Sequence, residues 1–261
     1  MLRTKPSKIT ILLNAVKKVK NWYILVLVYF RIYNKKFFIL KLKNGLKLKL
    51  RTHSTDIYAF TNVWLIEEYK QEGFAINSTD NIIDVGAHIG LFTVYASQFC
   101  KNGKIFSYEP VKENFELLKE NISLNALSNA YIFNNAVFDN TGSIKIYLNE
   151  KDQAAHSSYH KSEKCIEVNA VSIKDIIDIN KIEYCNFLKL DCEGLEFKIL
   201  NGIDDKYFNK IKKMCLEYHI LDKNSADLKQ LKERFQRLNY DITDQPSSNT
   251  MGILFAKKSH E

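Results

Sequence analysis

The sequence is poor in the residues that break or loosen a chain, with three prolines and nine glycines among 261 residues. Such a composition leaves little room for long disordered linkers, and the 46% hydrophobic and 26% charged residues are ordinary for a globular protein. The length suits one α/β domain with an extension, or two small domains.

Long apolar runs are also missing. The most apolar stretch near the start, residues 22–30, has nine residues, whereas a membrane-spanning helix needs roughly 20. It begins too far from the N-terminus for a signal peptide and has no small-residue cleavage site after it, which argues against a secretion signal. We expect a helix packed on the domain, and an interfacial helix between flanking basic residues is the alternative.

Cysteine pairs with metal-ligand spacing are absent as well. None of the five cysteines forms a CxxC pair, and their number is odd. These features argue against a zinc site and a disulfide framework, and they predict reduced thiols in a cytoplasmic protein. The five are Cys100, Cys165, Cys185, Cys192 and Cys215.

Negative charge is lacking at the start of the chain, where the first acidic residue is Asp56. Fourteen of the 38 Lys and Arg residues precede residue 52, and the rest of the chain has more acidic than basic residues. The net charge of +8 therefore belongs to the N-terminal fifth and does not indicate nucleic-acid binding. We expect this basic segment to make peripheral contact with a membrane or an acidic partner, with a solvated lysine-rich face as the alternative.

Two kinds of periodicity divide the chain. Residues 37–51 alternate apolar and basic side chains around Asn44-Gly45, which predicts a β-hairpin. From residue 81 onward strands and helices alternate, which is typical of a mainly parallel sheet with helices on both faces. We therefore predict a doubly wound, Rossmann-like α/β domain at 78–261, preceded by an extension at 1–77 with a helix, the hairpin and a further helix. Strands are predicted at 81–85, 104–108, 130–135, 143–148, 165–171, 186–190, 213–217 and 251–256, and helices at 61–70, 91–99, 111–127, 195–200 and 225–238.

The motif DVGAHIG, residues 84–90, follows a strand and opens a helix. Glycine at position 86 permits a tight turn and lets a ligand approach bare backbone, and Gly90 can let the helix pack closely on the sheet. The free N–H groups at the helix start suit a carboxylate. The GxxxG spacing lacks the extra glycine of the dinucleotide fingerprint, and a plain strand-to-helix turn is the alternative. The predicted ligand-binding residues of this loop are Asp84, Gly86, Ala87, His88 and Gly90.

Glu109 lies at the end of the next strand, 23 residues after Gly86. A carboxylate about 20 residues beyond a glycine loop accepts hydrogen bonds from the hydroxyls of a ribose. NAD and S-adenosylmethionine both carry such a ribose, so Glu109 supports an adenosine ligand without choosing between them. The alternative is a surface glutamate that caps the following helix.

The run KLDCEGLE, residues 189–196, places Asp191 at the end of a strand and Glu193 just beyond it. A carboxylate there can orient the amino group of a ligand, accept a proton from a substrate or bind a metal ion. The run differs from the Asn-Pro-Pro-aromatic sequence that is usual in DNA and RNA amino-methyltransferases. Both residues can also simply cap the next helix.

Glu217 and His219 end a later strand, and neighbouring strand ends would bring them towards Asp191 and Glu193. The four side chains suit an acid–base set, whereas their loose spacing is weak evidence for a metal ion, and we predict none. His219 can also be an ordinary hydrogen-bonded histidine. The polar loop 153–160 is expected to cover the pocket and select the substrate, with a mobile surface loop as the alternative.

Together these segments resemble the FkbM family of methyltransferases over residues 81–202, and more weakly to residue 256. The family marks are IDVGAHIG, the Tyr108-Glu109-Pro110 turn, ENFELLKENISLN, VSIKDII and above all KLDCEGLEFKIL. The resemblance implies a class I methyltransferase fold and S-adenosylmethionine as the methyl donor. It also implies methylation of a hydroxyl on a sugar, glycolipid, polyketide or other small metabolite.

Carried over to this chain, the resemblance implies that the glycine loop binds the donor and that Glu109 holds its ribose. It further implies that Asn135, Ala136 and Val137 flank the adenine, and that Asp191 and Glu193 stand at the methyl-transfer end. A hydroxyl acceptor benefits from a general base, for which Asp191 is the first choice and His219 or His156 the second.

Two alternatives to this interpretation remain at the level of the sequence. An NAD-dependent oxidoreductase shares the fold type and Glu109, but it needs the GxGxxG spacing that this chain lacks. A non-catalytic module would keep the fold and use its basic start to dock on acidic lipid or on a glycan-synthesis complex.

Overall fold

The computed structural model describes residues 6–147, 165–220 and 226–259. The strands are β1 (Phe37–Lys41), β2 (Lys47–Arg51), β3 (Asn81–Val85), β4 (Lys104–Tyr108), β5 (Ala130–Phe133), β6 (Ala136–Phe138), β7 (Gly142–Tyr147), β8 (Cys165–Ser172), β9 (Phe187–Leu190), β10 (Lys213–His219), β11 (Tyr240–Pro246) and β12 (Met251–Lys258). The α-helices are α1 (Lys8–Lys18), α2 (Tyr23–Tyr29), α3 (Asp56–Phe60), α4 (Leu91–Ala96), α5 (Lys112–Leu124), α6 (Ile173–Ile179), α7 (Glu196–Asn201), α8 (Asp205–Phe208) and α9 (Ala226–Arg237), and a π-helix (Thr61–Ile66) directly follows α3.

Seven strands form the central sheet in the order β11-β12-β10-β9-β3-β4-β5. The strands from β10 to β5 pair in parallel, whereas β12 is antiparallel to both β10 and β11. β3 is the first strand of this sheet in chain order and lies in its interior, with β4 on one side and β9 on the other, so the strand order reverses there. Ligands of doubly wound sheets bind at the carboxyl ends of the strands beside such a reversal. The predicted α/β, mainly parallel fold is confirmed.

A second, three-stranded sheet lies beside the central one. β7 pairs antiparallel with β8, and β6 pairs parallel with β8. The strands predicted at 143–148 and 165–171 therefore belong to this small sheet, and the last residue of the first, Leu148, lies outside the described residues.

The predicted hairpin is formed by β1 and β2, with Gly45 in the turn at a φ of +95°. Its inward face consists of the buried side chains Phe38, Leu40, Leu48 and Leu50. The backbone of β2 is bonded to α5, because the N–H of Lys49 donates to Asn121 Oδ1 at 2.6 Å and Asn121 Nδ2 donates back to the Lys49 carbonyl at 3.1 Å. The hairpin is thus attached to the helix that follows β4.

The N-terminal elements share a core with the central sheet. α1 packs on the π-helix, where Asn14 Nδ2 donates to the carbonyl of Leu65 at 2.9 Å and Lys18 Nζ to that of Trp64 at 2.7 Å. One buried apolar cluster draws on both parts of the chain and includes Val19, Leu50, Phe60, Ile82, Phe187 and Phe255. The predicted boundary between residues 77 and 78 stays a prediction, and the buried residues before it belong to a cluster shared with the rest of the chain.

Several elements differ from the predictions. The helix expected at 61–70 begins earlier, as α3, and continues as the π-helix, which ends at Ile66 and is followed by Glu67 with a φ of +55°. The apolar run 22–30 forms α2, packed inward through Leu25 and Val28. Helices α6 and α8 and strand β11 had no counterpart among the predicted elements. In the parts of the chain that the structure describes, no helix has the length and apolar character needed to cross a bilayer.

Candidate active site

A cavity with an empty volume of about 1120 Å³ opens at the carboxyl ends of β3, β4, β9 and β10. The glycine loop at residues 86–90, which the resemblance predicts to bind the methyl donor, is called the donor loop below. This loop and its surroundings contribute Val85, Gly86, Ala87, His88, Tyr108, Glu109, Val111, Asn114, Ala136 and Val137. The other lining residues include Tyr58, Asn62, Val63, Glu68, Tyr69, Lys189, Asp191, Glu193 and Glu217.

Gly86 occupies the tightest point of the loop between β3 and α4. Its φ is +71°, and a Cβ there would lie 1.8 Å from the carbonyl oxygen of Asp191. The N–H groups of Gly86 and Ala87 both donate to the carbonyl of Tyr108, at 3.1 and 3.0 Å. Only glycine fits here, because the loop is pressed against the end of β9 while it is bonded to β4.

Gly90 has a different role from the one expected. It precedes α4 with a φ of +84°, and a Cβ there would lie 2.5 Å from Leu118 Cδ1 of α5. The close contact that Gly90 permits is therefore between two helices, not between a helix and the sheet. Gly90 is not among the residues that line the cavity.

Asp84 lies beneath the loop and is fully buried. Thr93 Oγ1 donates to its Oδ2 at 2.7 Å, and Lys189 Nζ lies 3.2 Å from its Oδ1. Asp84 does not line the cavity, so it supports the donor loop from below.

Lys189 joins the two motifs at the centre of the sheet. Its Nζ donates to the carbonyls of Gly86 at 2.8 Å and Val85 at 3.3 Å, and it lies 3.6 Å from Asp191 Oδ2. Burial would lower the pKa of Lys189, but the carboxylates of Asp84 and Asp191 hold it above its ordinary value. No role was predicted for this lysine, although a charged residue inside the apolar strand FLKL indicates a need for a buried partner.

Glu109 is buried at the end of β4 and lines the cavity. Its carboxylate accepts hydrogen bonds from the backbone N–H of His88 at 2.8 Å and of Val111 at 2.9 Å, and from Asn114 Nδ2 at 3.4 Å. Burial raises its pKa to about 7, against the lowering effect of these donors. The ribose-binding and helix-capping interpretations are compatible, because a carboxylate has about four acceptor positions.

Asn114 is a site residue that the sequence analysis missed. It lines the cavity and is buried, and its Oδ1 has no hydrogen-bond partner among the described residues. A buried acceptor without a partner is costly, so a ligand with a hydroxyl or amino donor would satisfy it. Its position three residues after Val111, at the start of α5, gave no chemical signal in the sequence.

His88 connects the loop to the N-terminal extension. Its φ is +52°, and its Nε2 lies 3.0 Å from Arg51 Nη2. Burial lowers the pKa of His88 to about 4, although the nearby Asp56 carboxylate opposes this effect. The imidazole is therefore neutral and accepts from Arg51, which in turn is bonded to Asp56 through both its Nε and its Nη2.

Carboxylates dominate the far end of the cavity. Asp191 Oδ2 accepts from the hydroxyl of Tyr69 at 3.3 Å, and Glu68, Glu193 and Glu217 line the same end. Burial and the charge of Asp191 raise the pKa of Glu193 to about 8, and the same two causes raise that of Glu217 well above its ordinary value. Glu193 and Glu217 therefore hold protons near neutral pH.

His219 does not line the cavity. Its Nε2 lies 3.5 Å from Glu193 Oε2, and its Nδ1 lies 3.5 Å from Oε1 of the fully buried Glu196. Burial alone would lower the pKa of His219, but the carboxylates of Glu196, Glu193 and Asp191 raise it to about 10. His219 is thus an imidazolium ion that balances negative charge, and in that form it has no lone pair to accept a proton.

Only some of the remaining predicted site residues line the cavity. Ala136 and Val137 line the cavity, whereas Asn135 does not. The loop 153–160, including His156, lies outside the described residues. Within the described ranges, no group of three or more His, Cys, Asp or Glu side chains has a geometry that could hold a metal ion.

Residues 84–242 of the chain match the Methyltransferase FkbM domain, and this match covers more than half of the sequence. The chain belongs to the FkbM methyltransferase family. This assignment confirms the expected class of protein and S-adenosylmethionine as the cofactor, in preference to a nicotinamide dinucleotide.

The methyltransferases similar to this chain are distant relatives. Methyltransferase sdnD of Sordaria araneosa is 24% identical over 169 residues, which are 52% of this chain and 65% of that protein. Methyltransferase 1 of Beauveria bassiana is 23% identical and is matched over 63% of its length, so this chain spans less than two thirds of either relative. The 31-O-demethyl-FK506 methyltransferase FkbM of Streptomyces tacrolimicus is 21% identical over 70% of this chain and 82% of its own.

Among solved structures, M. jannaschii TYW2 in complex with AdoMet is 18% identical, with a TM-score of 0.46 over 86% of this chain and 87% of that one.

The residues of this FkbM methyltransferase fit S-adenosylmethionine. The unpartnered Oδ1 of Asn114 and the one acceptor position that Glu109 has left suit the hydroxyls of a ribose. Gly86 and Ala87 present backbone to the same cavity, and Ala136 and Val137 give it an apolar wall suited to an adenine ring. These six residues would hold the cofactor.

Proposed function

We propose that the protein methylates a hydroxyl group on a sugar, glycolipid or other small metabolite in the cytoplasm. The observation that carries the proposal is the polarity of one cavity, with acceptors for a ribose at Glu109 and Asn114 and a cluster of carboxylates around Asp191 at the other end. The name of the Streptomyces tacrolimicus relative refers to an oxygen atom as its methylation site. The free cysteines, three of them buried, are in keeping with a reducing compartment.

When bound, S-adenosylmethionine supplies an activated methyl group on a sulfonium. The protein then has to hold the acceptor oxygen in line with that group and exclude water. Positioning of this kind is worth up to about 7–11 kcal/mol of a reaction barrier. Tyr58, Asn62 and Val63 of the N-terminal part also line the cavity, and they would contact the acceptor.

We assign the role of general base to Asp191. Its carboxylate lines the cavity, is held by Tyr69, and lies close to the cation of Lys189, which compensates its charge. His219 is already protonated, and the raised pKa values of Glu193 and Glu217 make them poor acceptors near neutral pH. Asp191 is therefore the side chain best placed to take the hydroxyl proton.

The test is methyl transfer from S-adenosylmethionine to a panel of sugars, glycolipids and hydroxylated metabolites, with the product bond identified by mass spectrometry. We expect Asp191→Asn to lower turnover by about 10²–10⁴-fold, while the Kd for S-adenosylhomocysteine, measured by calorimetry, changes little. Glu193→Gln is the matched control and should lose less activity. Full turnover in Asp191→Asn would remove Asp191 as the base, and a methyl–nitrogen bond in the product would refute O-methylation.

A further inference from the structure

An apolar and basic surface on the N-terminal helices is not used by the cavity. We call it the α1–α2 face, and its exposed apolar side chains are Ile9, Leu12, Leu13, Tyr23, Tyr29, Phe30 and Ile32. Ile9 is 72% exposed, Phe30 65% and Tyr29 63%. Single exposed apolar residues are ordinary, whereas a group of this size marks an interaction surface.

The outward side of α1 is as apolar as its inward side. Ala15 and Val19 point inward, and Asn14 and Lys18 on the same side are bonded to the π-helix. At 100° per residue, Ile9, Leu12 and Leu13 fall on the opposite side of the helix, where a surface helix normally carries polar residues. This outward stripe therefore has no folding role in the described structure.

The two helices form a continuous surface. Lys8 Nζ of α1 lies 3.3 Å from the hydroxyl of Tyr29 in α2, and the ring of Tyr29 packs edge-on against that of Phe30. The stripe of α1 and the end of α2 are thus adjacent. Tyrosines with an apolar body and a polar tip are typical of the boundary between water and lipid.

Positive charge surrounds these apolar side chains. The exposed basic residues are Lys8, Lys17, Lys20, Arg31, Lys35 and Lys36, and no acidic residue occurs before Asp56 to neutralise them. A second copy of the chain would meet this face with the same charge, because a two-fold interface places a patch against itself. The complementary partner is therefore negatively charged, with an apolar layer beneath its charged surface.

We propose that the α1–α2 face binds the surface of an anionic lipid bilayer. The apolar side chains would enter the interface between headgroups and acyl chains, and the lysines and Arg31 would contact acidic headgroups. Apolar insertion and basic charge are the two signals that together give stable peripheral binding. The face lies on the side of α1 away from the π-helix, so its side chains can be changed without altering the cavity wall at Asn62 and Val63.

The experiment is co-sedimentation of the full chain with vesicles of phosphatidylcholine, alone or with phosphatidylserine added. We expect binding to the anionic vesicles only, weakening as salt rises. The double variant Ile9→Ser, Leu13→Ser should lower vesicle affinity by about tenfold or more while keeping its unfolding midpoint. Ile179→Ser is the matched control, because Ile179 is also 72% exposed but lies at the end of α6, and it should bind like the parent chain.

Three outcomes would overturn the proposal. The first is equal or absent sedimentation with the two vesicle types. The second is an equal loss of affinity in Ile179→Ser. The third is a concentration-dependent dimer, or a complex with an acidic protein, that the double variant abolishes while vesicle binding stays unchanged. Because none of these readouts depends on methyl transfer, they are separate from the test of the proposed function.

Discussion

Asp56 is the residue through which the N-terminal hairpin should control the donor loop, and Asp56→Asn tests this. The Asp56 carboxylate is fully buried and accepts from Arg51 three times, from the backbone N–H at 2.8 Å, Nε at 3.0 Å and Nη2 at 2.7 Å. The asparagine keeps the shape of the side chain but removes its charge. Arg51, whose side chain is 11% exposed, then keeps a cation without a counterion beside the neutral His88.

The expected loss of stability in Asp56→Asn follows from the burial of the Asp56–Arg51 ion pair. Removing one partner of a buried, hydrogen-bonded ion pair costs about 3–5 kcal/mol. Asparagine still accepts one of the bonds and Arg51 keeps some contact with water, so we expect the lower end, about 3 kcal/mol. For a chain of this size, each kcal/mol shifts the Tm by about 2–4 °C, which predicts a fall of about 6–12 °C.

The same change should weaken cofactor binding. The backbone N–H of His88 donates to Glu109, and the imidazole of His88 is held by Arg51. Once Arg51 is free to reorient, this part of the loop loses its anchor. We expect the Kd for S-adenosylhomocysteine to rise by about tenfold, equivalent to about 1.4 kcal/mol.

Urea unfolding measures the loss of stability, and calorimetry measures the Kd for S-adenosylhomocysteine. Glu120→Gln is the matched control, since Glu120 pairs with Lys49 on the same hairpin strand but is 49% exposed, and surface pairs contribute about 0–1 kcal/mol. Equal unfolding midpoints for Asp56→Asn and Glu120→Gln would refute the structural role of the buried pair. An unchanged Kd in a destabilised Asp56→Asn would refute its connection to the donor loop.

Two further predictions concern the ribose end of the cavity. Burial raises the pKa of Glu109 to about 7, so the carboxylate becomes protonated below that pH and loses an acceptor position. The Kd for S-adenosylhomocysteine should therefore rise by up to about tenfold for each unit by which the pH falls below 7. In Glu109→Gln this pH dependence should disappear, and its persistence would show that another group titrates. Asn114→Ala removes the unpartnered acceptor and should weaken the same ligand by about tenfold, whereas calorimetry showing no change would mean that Oδ1 does not contact it.

The central strands were predictable because their sequence matches their environment. β3 and β4 have the predicted bounds, and both are short apolar runs in a sheet that is covered on two faces. β11 was missed because YDITDQP contains two aspartates and a proline, which are depleted in strands. It is a strand because it pairs along its length with β12 at the edge of the sheet, where proline is tolerated.

The site residues were predictable where their role depends on a short sequence motif, and not where it depends on a distant contact. Gly86, Glu109 and Asp191 belong to short motifs whose spacing carries chemical meaning, and all three line the cavity. Lys189 and Arg51 acquire their roles only from partners distant in the chain: Lys189 from Gly86, 103 residues away, and Arg51 from His88, 37 residues away. No local pattern reports such contacts.

Protonation state is the property that the sequence could least supply. Asp191, Glu193 and His219 were all predicted as acid–base residues, with Asp191 the first choice for the base, but their residue types gave no protonation state for any of them. His219 receives a proton because the buried carboxylate of Glu196 lies 3.5 Å from it, whereas Glu193 keeps its own proton because it is buried near Asp191. Asp191 differs from both, since Lys189 compensates its charge directly. The positions of the two cations, Lys189 and His219, among these carboxylates thus favour Asp191 as the base over the other acid–base candidates.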